Sequence, residues 1–106
     1  KQDYVKVFNE PNADFYSNHW LSCIVFESNP KQHSSTQLRE FLDRFSIESR
    51  PLWKPMHLQP IFEKYPYYGG TVSEELFANG LCLPSGSNLN DEDRNRISTV
   101  LAQFVH

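Results

Sequence analysis

Arg50, Trp53, Lys54 and His57 lie within the stretch Ser49-Arg50-Pro51-Leu52-Trp53-Lys54-Pro55-Met56-His57-Leu58-Gln59-Pro60-Ile61-Phe62. They combine a permanent cation, a large flat ring, a movable cation and a titratable imidazole. Such a set suits an anionic ligand with a flat or sugar-like part, because Arg grips phosphate in a fork and Trp offers a stacking face. An imidazole can hydrogen-bond such a ligand in either charge state. The same residues also fit a plain connector: Trp53 and Met56 would pack on the core, Arg50 would pair with Glu48, and His57 would tie the loop to the backbone.

Pro51, Pro55 and Pro60 set the form of this stretch. Each fixes its own φ, lacks an N–H and pushes the residue before it towards extended backbone, which excludes a regular helix or a central strand. Ile47 to Arg50 reads as a short strand feeding the stiff segment. Upstream, Tyr4 to Phe8 has β character and ends at the turn-rich Asn9-Glu10-Pro11-Asn12. His19 to Glu27 is apolar on both faces, as expected of a central strand covered on each side and stopped by Ser28-Asn29-Pro30. Ser34 with Gln37 is a capping-box signature, and Leu38, Phe41, Leu42 and Phe45 behind it form one helical stripe. Lys64-Tyr65-Pro66-Tyr67-Tyr68-Gly69-Gly70 reads as an exposed loop whose tyrosines cover the edge of the core or, alternatively, meet a ligand. Thr71 and Glu74 offer a second capping box, with Gly80 as the residue that closes that helix. Leu81-Cys82-Leu83 is a short buried strand ended by Pro84. Asn90 then caps a helix whose stripe is Ile97, Val100, Leu101, Phe104 and Val105. Strands and helices in this order predict an α+β fold, a small sheet with helices packed on it.

With 106 residues the chain makes one domain with a single core. Aromatic residues at 14% offset a modest hydrophobic fraction of 39%. Net charge is −3 and the Lys and Arg are scattered, which argues against a nucleic-acid or anionic-membrane surface. The longest apolar run, Cys23 to Phe26, is too short to span a bilayer, and no stretch has the form of a signal peptide. Cys23 and Cys82 stand in strand-like runs without metal-ligand spacing and read as buried free thiols of a cytoplasmic protein. A disulfide between them is possible, but nothing in the sequence favours it. The start at Lys1-Gln2-Asp3, without Met, fits an excised piece or a processed terminus equally. Gly80 and Gly86 flank a strand without a phosphate-loop pattern.

Arg50-Pro51-Leu52-Trp53-x-Pro55-Met56-His57-x-Gln59-Pro60, followed by Gly80-Leu81-Cys82-Leu83-Pro84-Ser85-Gly86, resembles the C-terminal segment of the DegT/DnrJ-type aminotransferases. His19-Trp20-Leu21 and Leu89-Asn90-x-Glu92-Asp93 fit the same pattern in the same order, so the resemblance runs from about Tyr4 to Phe104. It implies a fold-type-I, pyridoxal-phosphate-dependent homodimer that moves an amino group from a donor such as glutamate to a nucleotide-linked keto sugar, for polysaccharide or glycan precursors. Residues 1–106 would be the C-terminal small domain, completing the substrate cleft and supporting the dimer. The large domain that holds the cofactor would be absent from this chain. Arg50, Trp53 and His57 are then the expected substrate-binding residues. No catalytic residue is expected, because none of Lys1, Lys6, Lys31, Lys54 and Lys64 stands in the family's Schiff-base motif. Lys54 occupies an unspecified position of the block and reads as a solvated cation. The fragment alone is therefore expected to bind no pyridoxal phosphate and to be inactive. The competing expectation is a free-standing α+β module that binds a nucleotide sugar or another protein.

Overall fold

The computed structural model describes residues 4–27 and 33–105, without the Val105 side chain. Ser28-Asn29-Pro30, expected to stop a strand, lies outside the described residues, as do Lys1 and Lys31. The strands are β1 (Val5–Val7), β2 (Ser22–Phe26), β3 (Arg50–Pro51) and β4 (Gly80–Leu83), and the helices are α1 (Ser35–Arg44), α2 (Val72–Asn79) and α3 (Asp91–Val105). The strands form one antiparallel sheet in the order β1-β2-β4-β3. This is the expected α+β architecture, with β2 inside the sheet and the proline-bearing β3 at its edge. An edge is where a residue without an N–H costs no ladder bond.

Register assigns each strand residue to a face. Ile24 lies opposite Leu81 and Phe26 opposite Val5, while Cys23 lies opposite Cys82 and Val25 opposite Gly80. The first face meets α1 and α3, so that Ile24, Phe26 and Leu81 join Leu38, Leu42, Ile47, Val100 and Phe104 in the core. The second face is covered unevenly. Cys82 is buried there, whereas Cys23 and Val25 are half-buried.

Strand β2 is shorter than its apolar run suggests. The amide of His19 donates to Ser17 Oγ at 3.0 Å, and that of Trp20 donates to Asn18 Oδ1 at 3.1 Å. His19 itself has φ of 52°. These local side-chain bonds outcompete the ladder for the amides of residues 19 and 20. Trp20 consequently leaves the sheet and is 68% exposed.

Helix α1 begins as expected. Ser34 Oγ accepts from the Gln37 amide, and Gln37 Oε1 accepts from the Ser34 amide. Its end explains why Ile47 to Ser49 do not ladder, in contrast to the expected strand. The Ile47 amide donates to the Leu42 carbonyl and the Ser46 amide to that of Asp43, with Ser46 at φ of 54°. This pair of bonds is a Schellman termination, sealed by contact of Leu42 and Ile47 in the core.

Of two expectations about α2, the capping box fails and the helix stop holds in part. Thr71 makes no side-chain capping bond and donates instead to Glu75 Oε1 at 2.7 Å, while the Glu74 carboxylate is taken by His57. Gly80 does close α2, as its C-cap with its amide donating to the Leu76 carbonyl, but in extended backbone (φ −93°, ψ 155°) that passes into β4 and not as a left-handed C′ residue. A Cβ there would collide with the Leu52 side chain and the Leu76 carbonyl oxygen. Close approach, not a left-handed turn, accounts for this glycine. Helix α3 keeps its cap: Asn90 Oδ1 accepts from the Asp93 amide at 2.8 Å, and Asp93 Oδ2 accepts from the Asn90 amide at 3.1 Å.

Candidate functional site

From β3 the chain enters the proline-rich block as a series of tight turns, not as an extended rod. The Leu58 amide donates to the Pro55 carbonyl at 3.0 Å and the Gln59 amide to that of Met56 at 3.1 Å, closing a 3₁₀ turn over Met56–Leu58. The Gln59 side chain donates to the Lys54 carbonyl at 3.1 Å and braces this turn from outside. His57 sits in the middle of it.

The imidazole is the best-held group in the segment. Its Nε2 lies 2.7 Å from Glu74 Oε1 in the first turn of α2. One face of the ring stacks on Tyr67, with centroids 3.7 Å apart and planes inclined by 18°. Tyr67 is fixed in turn by its hydroxyl, which donates to the Gly70 carbonyl, and Gly69 at φ of 131° lets the chain fold back that tightly. The His57 side chain keeps only 16% of its exposure, against 40% for Glu74. With Glu74 ionised, Nε2–H donates to it, and Nδ1 remains to meet another group. Glu74 also places its negative charge at the positive end of the α2 dipole.

Arg50 has a weaker hold. Its Nε and Nη2 both donate to Glu48 Oε1, at 2.8 and 2.6 Å, and both side chains are largely exposed. Such an exposed pair contributes little to stability and gives way readily to a stronger anion. Arg50 lines a surface cleft of about 330 Å³ together with Leu21, Ser49, Cys82, Asp93 and Arg96. Ser49 Oγ is buried there without a hydrogen-bond partner among the described residues. Trp53 turns elsewhere, tilted against Trp20 with centroids 5.8 Å apart, and is 67% exposed. Trp53 therefore does not pack into the core as the connector reading would require, and Met56 is exposed as well. Lys54 is exposed too.

Arg50, Trp53 and His57 thus stand on one segment with separate partners and do not line a common cavity. Three further residues belong with them that the sequence did not single out for this role: Tyr67, Glu74 and Trp20. Glu74 was hidden by its position, three residues after Thr71, which reads as a capping box. Tyr65, Tyr67 and Tyr68 are all exposed, which corrects the expectation that they cover the edge of the core. Among the described residues no group of three or more His, Cys, Asp or Glu side chains could hold a metal ion, and no helix is long and apolar enough to cross a membrane.

Residues 2–102 match the family described as DegT/DnrJ/EryC1/StrS aminotransferases. A protein of Bacillus subtilis (strain 168), EpsN, described as a pyridoxal phosphate-dependent aminotransferase, is 38% identical over 94 residues, which is 85% of this chain and 24% of that protein. GDP-perosamine synthase of Vibrio cholerae is 29% identical over 103 residues, 96% of this chain and 28% of its own. Among solved structures, a DegT DnrJ EryC1 StrS aminotransferase from Brucella abortus superposes with a TM-score of 0.76 at 30% identity, over 97% of this chain and 26% of its own. The chain thus spans about a quarter of the length of the curated relatives it matches.

A pyridoxal phosphate site needs a lysine amine for the cofactor aldehyde and an acid for the ring nitrogen. Three lysines lie among the described residues, Lys6, Lys54 and Lys64. Lys6 is ion-paired with Glu27, Lys64 lies 5.3 Å from the Tyr65 ring centroid, and Lys54 is exposed on the proline-rich segment.

Proposed function

Because this chain belongs to the DegT/DnrJ/EryC1/StrS aminotransferase family, we propose that it is the C-terminal small domain of a pyridoxal-phosphate-dependent enzyme that aminates a nucleotide-linked keto sugar. The observation that carries this reading is the family match over residues 2–102. The name of one relative supports the substrate class: perosamine is an amino sugar, and GDP is the nucleotide in the name of that synthase. In this reading the cofactor and its lysine belong to the part of the relatives that this chain does not span. Its own work is to close the substrate cleft, within a homodimer in the cytoplasm, and to supply part of a route to polysaccharide or glycan precursors. Alone it is inactive.

Within the cleft, His57 would hydrogen-bond the sugar or a phosphate through Nδ1, held at its angle by Glu74 and Tyr67. Arg50 would exchange Glu48 for a phosphate, since Arg binds phosphate in a bidentate fork. Trp53 would offer a face to the base or sugar. No step of the amino transfer is assigned to any residue of this chain.

The test is steady-state kinetics of the whole enzyme with a nucleotide-linked keto sugar and glutamate. His57→Ala is expected to leave the fold and the cofactor absorbance intact. Loss of one hydrogen bond to a charged group lowers kcat/KM roughly ten- to a hundredfold. An unchanged kcat/KM with a lowered melting temperature would return His57 to a structural role. No turnover of any nucleotide sugar by the whole enzyme would remove the substrate class.

A further inference from the structure

The two cysteines are 59 residues apart in sequence and directly opposed in space. Register pairs Cys23 of β2 with Cys82 of β4 on the second face of the sheet, and their sulfurs are 3.7 Å apart. Opposed residues of an antiparallel pair have Cα separations of about 4.5 or 5.5 Å. Both values fall within the range of roughly 4.4–6.8 Å that a disulfide spans. Closure to a bond of about 2 Å therefore asks for side-chain rotation, with no slip of either strand. Both residues are free thiols. We propose that Cys23 and Cys82 form a modification site, a dithiol that closes into an intrachain cross-strand disulfide by exchange with a small-molecule disulfide such as oxidised glutathione.

Exposure assigns the order of events. Cys23 is half-buried and Cys82 buried, so a small disulfide reaches Cys23 first. Burial, with the Cys23 thiol alongside, pushes Cys82 up to about 11, which keeps it protonated and makes it the resolving thiol. In the first step the Cys23 thiolate attacks one sulfur of the small disulfide. A protein–glutathione disulfide forms and one glutathione thiolate leaves. In the second step Cys82, losing its proton, attacks Cys23 Sγ, the Cys23–glutathione bond breaks and the second thiolate leaves. The two protons released by the cysteines end on the two glutathione thiols. The protein is oxidised by two electrons and the small disulfide is reduced by two.

The site does not depend on the aminotransferase reading, since it uses no residue of the candidate cleft surface other than the cleft-lining Cys82. Its position is central, because β2 and β4 are the two inner strands and β3 with Arg50 hangs on β4 opposite Cys82. Closure fixes the two inner strands to each other.

The experiment treats the chain with oxidised glutathione, quenches with an alkylating agent and measures intact and peptide masses. The expected product has lost two hydrogens, resists alkylation at both cysteines and yields one peptide linking Cys23 to Cys82. Cys82→Ser is expected to stop at a glutathione adduct on Cys23. The wild-type chain also reports without any variant: closing so long a loop raises the melting temperature by on the order of 10 °C, reversibly by dithiothreitol. A persistent glutathione adduct on wild-type Cys23, a disulfide-linked dimer or two alkylated cysteines would each overturn the proposal. A melting temperature that falls on closure would overturn the claim that the sheet already holds the pair in bonding position.

Discussion

His57 has one ring nitrogen on a carboxylate and one face on a phenol, so its remaining freedom is small. Glu74 holds that ring nitrogen from α2, and under the proposed reading it is a positioning residue. Glu74→Gln keeps an acceptor but removes its charge. In the whole enzyme it is expected to lower kcat/KM by roughly three- to tenfold, the difference between a charged and a neutral partner. Added to His57→Ala it should cost nothing more, because there is no imidazole left to orient. A double-mutant cycle measures this, and additive losses would mean that Glu74 acts independently. Cys82 carries a second prediction at this scale, for the reduced chain. Its thiol is raised in the folded state and ordinary in the unfolded one. The unfolded chain therefore loses that proton first, and stability falls as pH rises from about 9 to about 11. Below this window the effect is absent. The loss is on the order of 2–3 kcal/mol. Denaturant titrations across the window should show a shallower decline for Cys82→Ala, and parallel curves would show that burial does not perturb the thiol.

Among the elements, α1 shows how local chemistry fixes both ends of a helix. Its start uses the reciprocal Ser34–Gln37 bonds and its end the Schellman bonds around Ser46. Ser46 nevertheless occupies the left-handed region, where a Cβ crowds the carbonyl and Gly is the usual residue. Ser46→Gly is expected to stabilise the chain by about 0.5–1 kcal/mol, the relief of strain less the extra unfolded-state entropy of glycine. Chemical denaturation measures it directly. A loss of stability would mean that the Ser46 side chain makes an interaction worth more than the strain. Helix α2 illustrates the opposite case. It buries no residue and forgoes its capping bonds, and its Glu74 serves His57 instead. A helix cap and an imidazole compete here for one carboxylate, and the imidazole takes it.

At the scale of the whole molecule, the core lies on one face of the sheet, and large apolar groups outside the strands are in contact with solvent. Trp20, Trp53, Met56 and Ile61 are each more than 60% exposed. Monomeric proteins seldom leave apolar surface of that kind uncovered over large areas. Under the proposed reading, these residues meet the part of the enzyme that this chain does not span. Trp53→Ser is then expected to change the stability of this chain alone by less than about 0.5 kcal/mol, as exposed substitutions do. In the whole enzyme the same change should cost about 1–3 kcal/mol or weaken sugar binding, because the ring would be desolvated there. Tryptophan emission should be red-shifted in the chain and blue-shifted in the whole enzyme. Equal effects of Trp53→Ser in both contexts would refute the covered surface.

The sequence by itself determined the elements whose signals are local. The Ser34–Gln37 and Asn90 caps, the stripe of α1, the inner position of β2 and the exclusion of the proline block from the centre of the sheet all follow from residues a few positions apart. The resemblance carried by the Arg50 to Pro60 block was legible for the same reason, since it is a matter of order and spacing. Tertiary structure alone decided what depends on distant partners. Glu74 could be read as a cap because nothing in sequence brings residue 57 within 2.7 Å of residue 74. Gly80 was legible as the stop of α2, but the close approach of Leu52, which is invisible before folding, was not. Nothing in the sequence favoured a bond between Cys23 and Cys82, because only the antiparallel register of β2 and β4 sets them face to face. Local bonds are written in local sequence. A side chain's partner across the fold is chosen only when strands align and a loop closes.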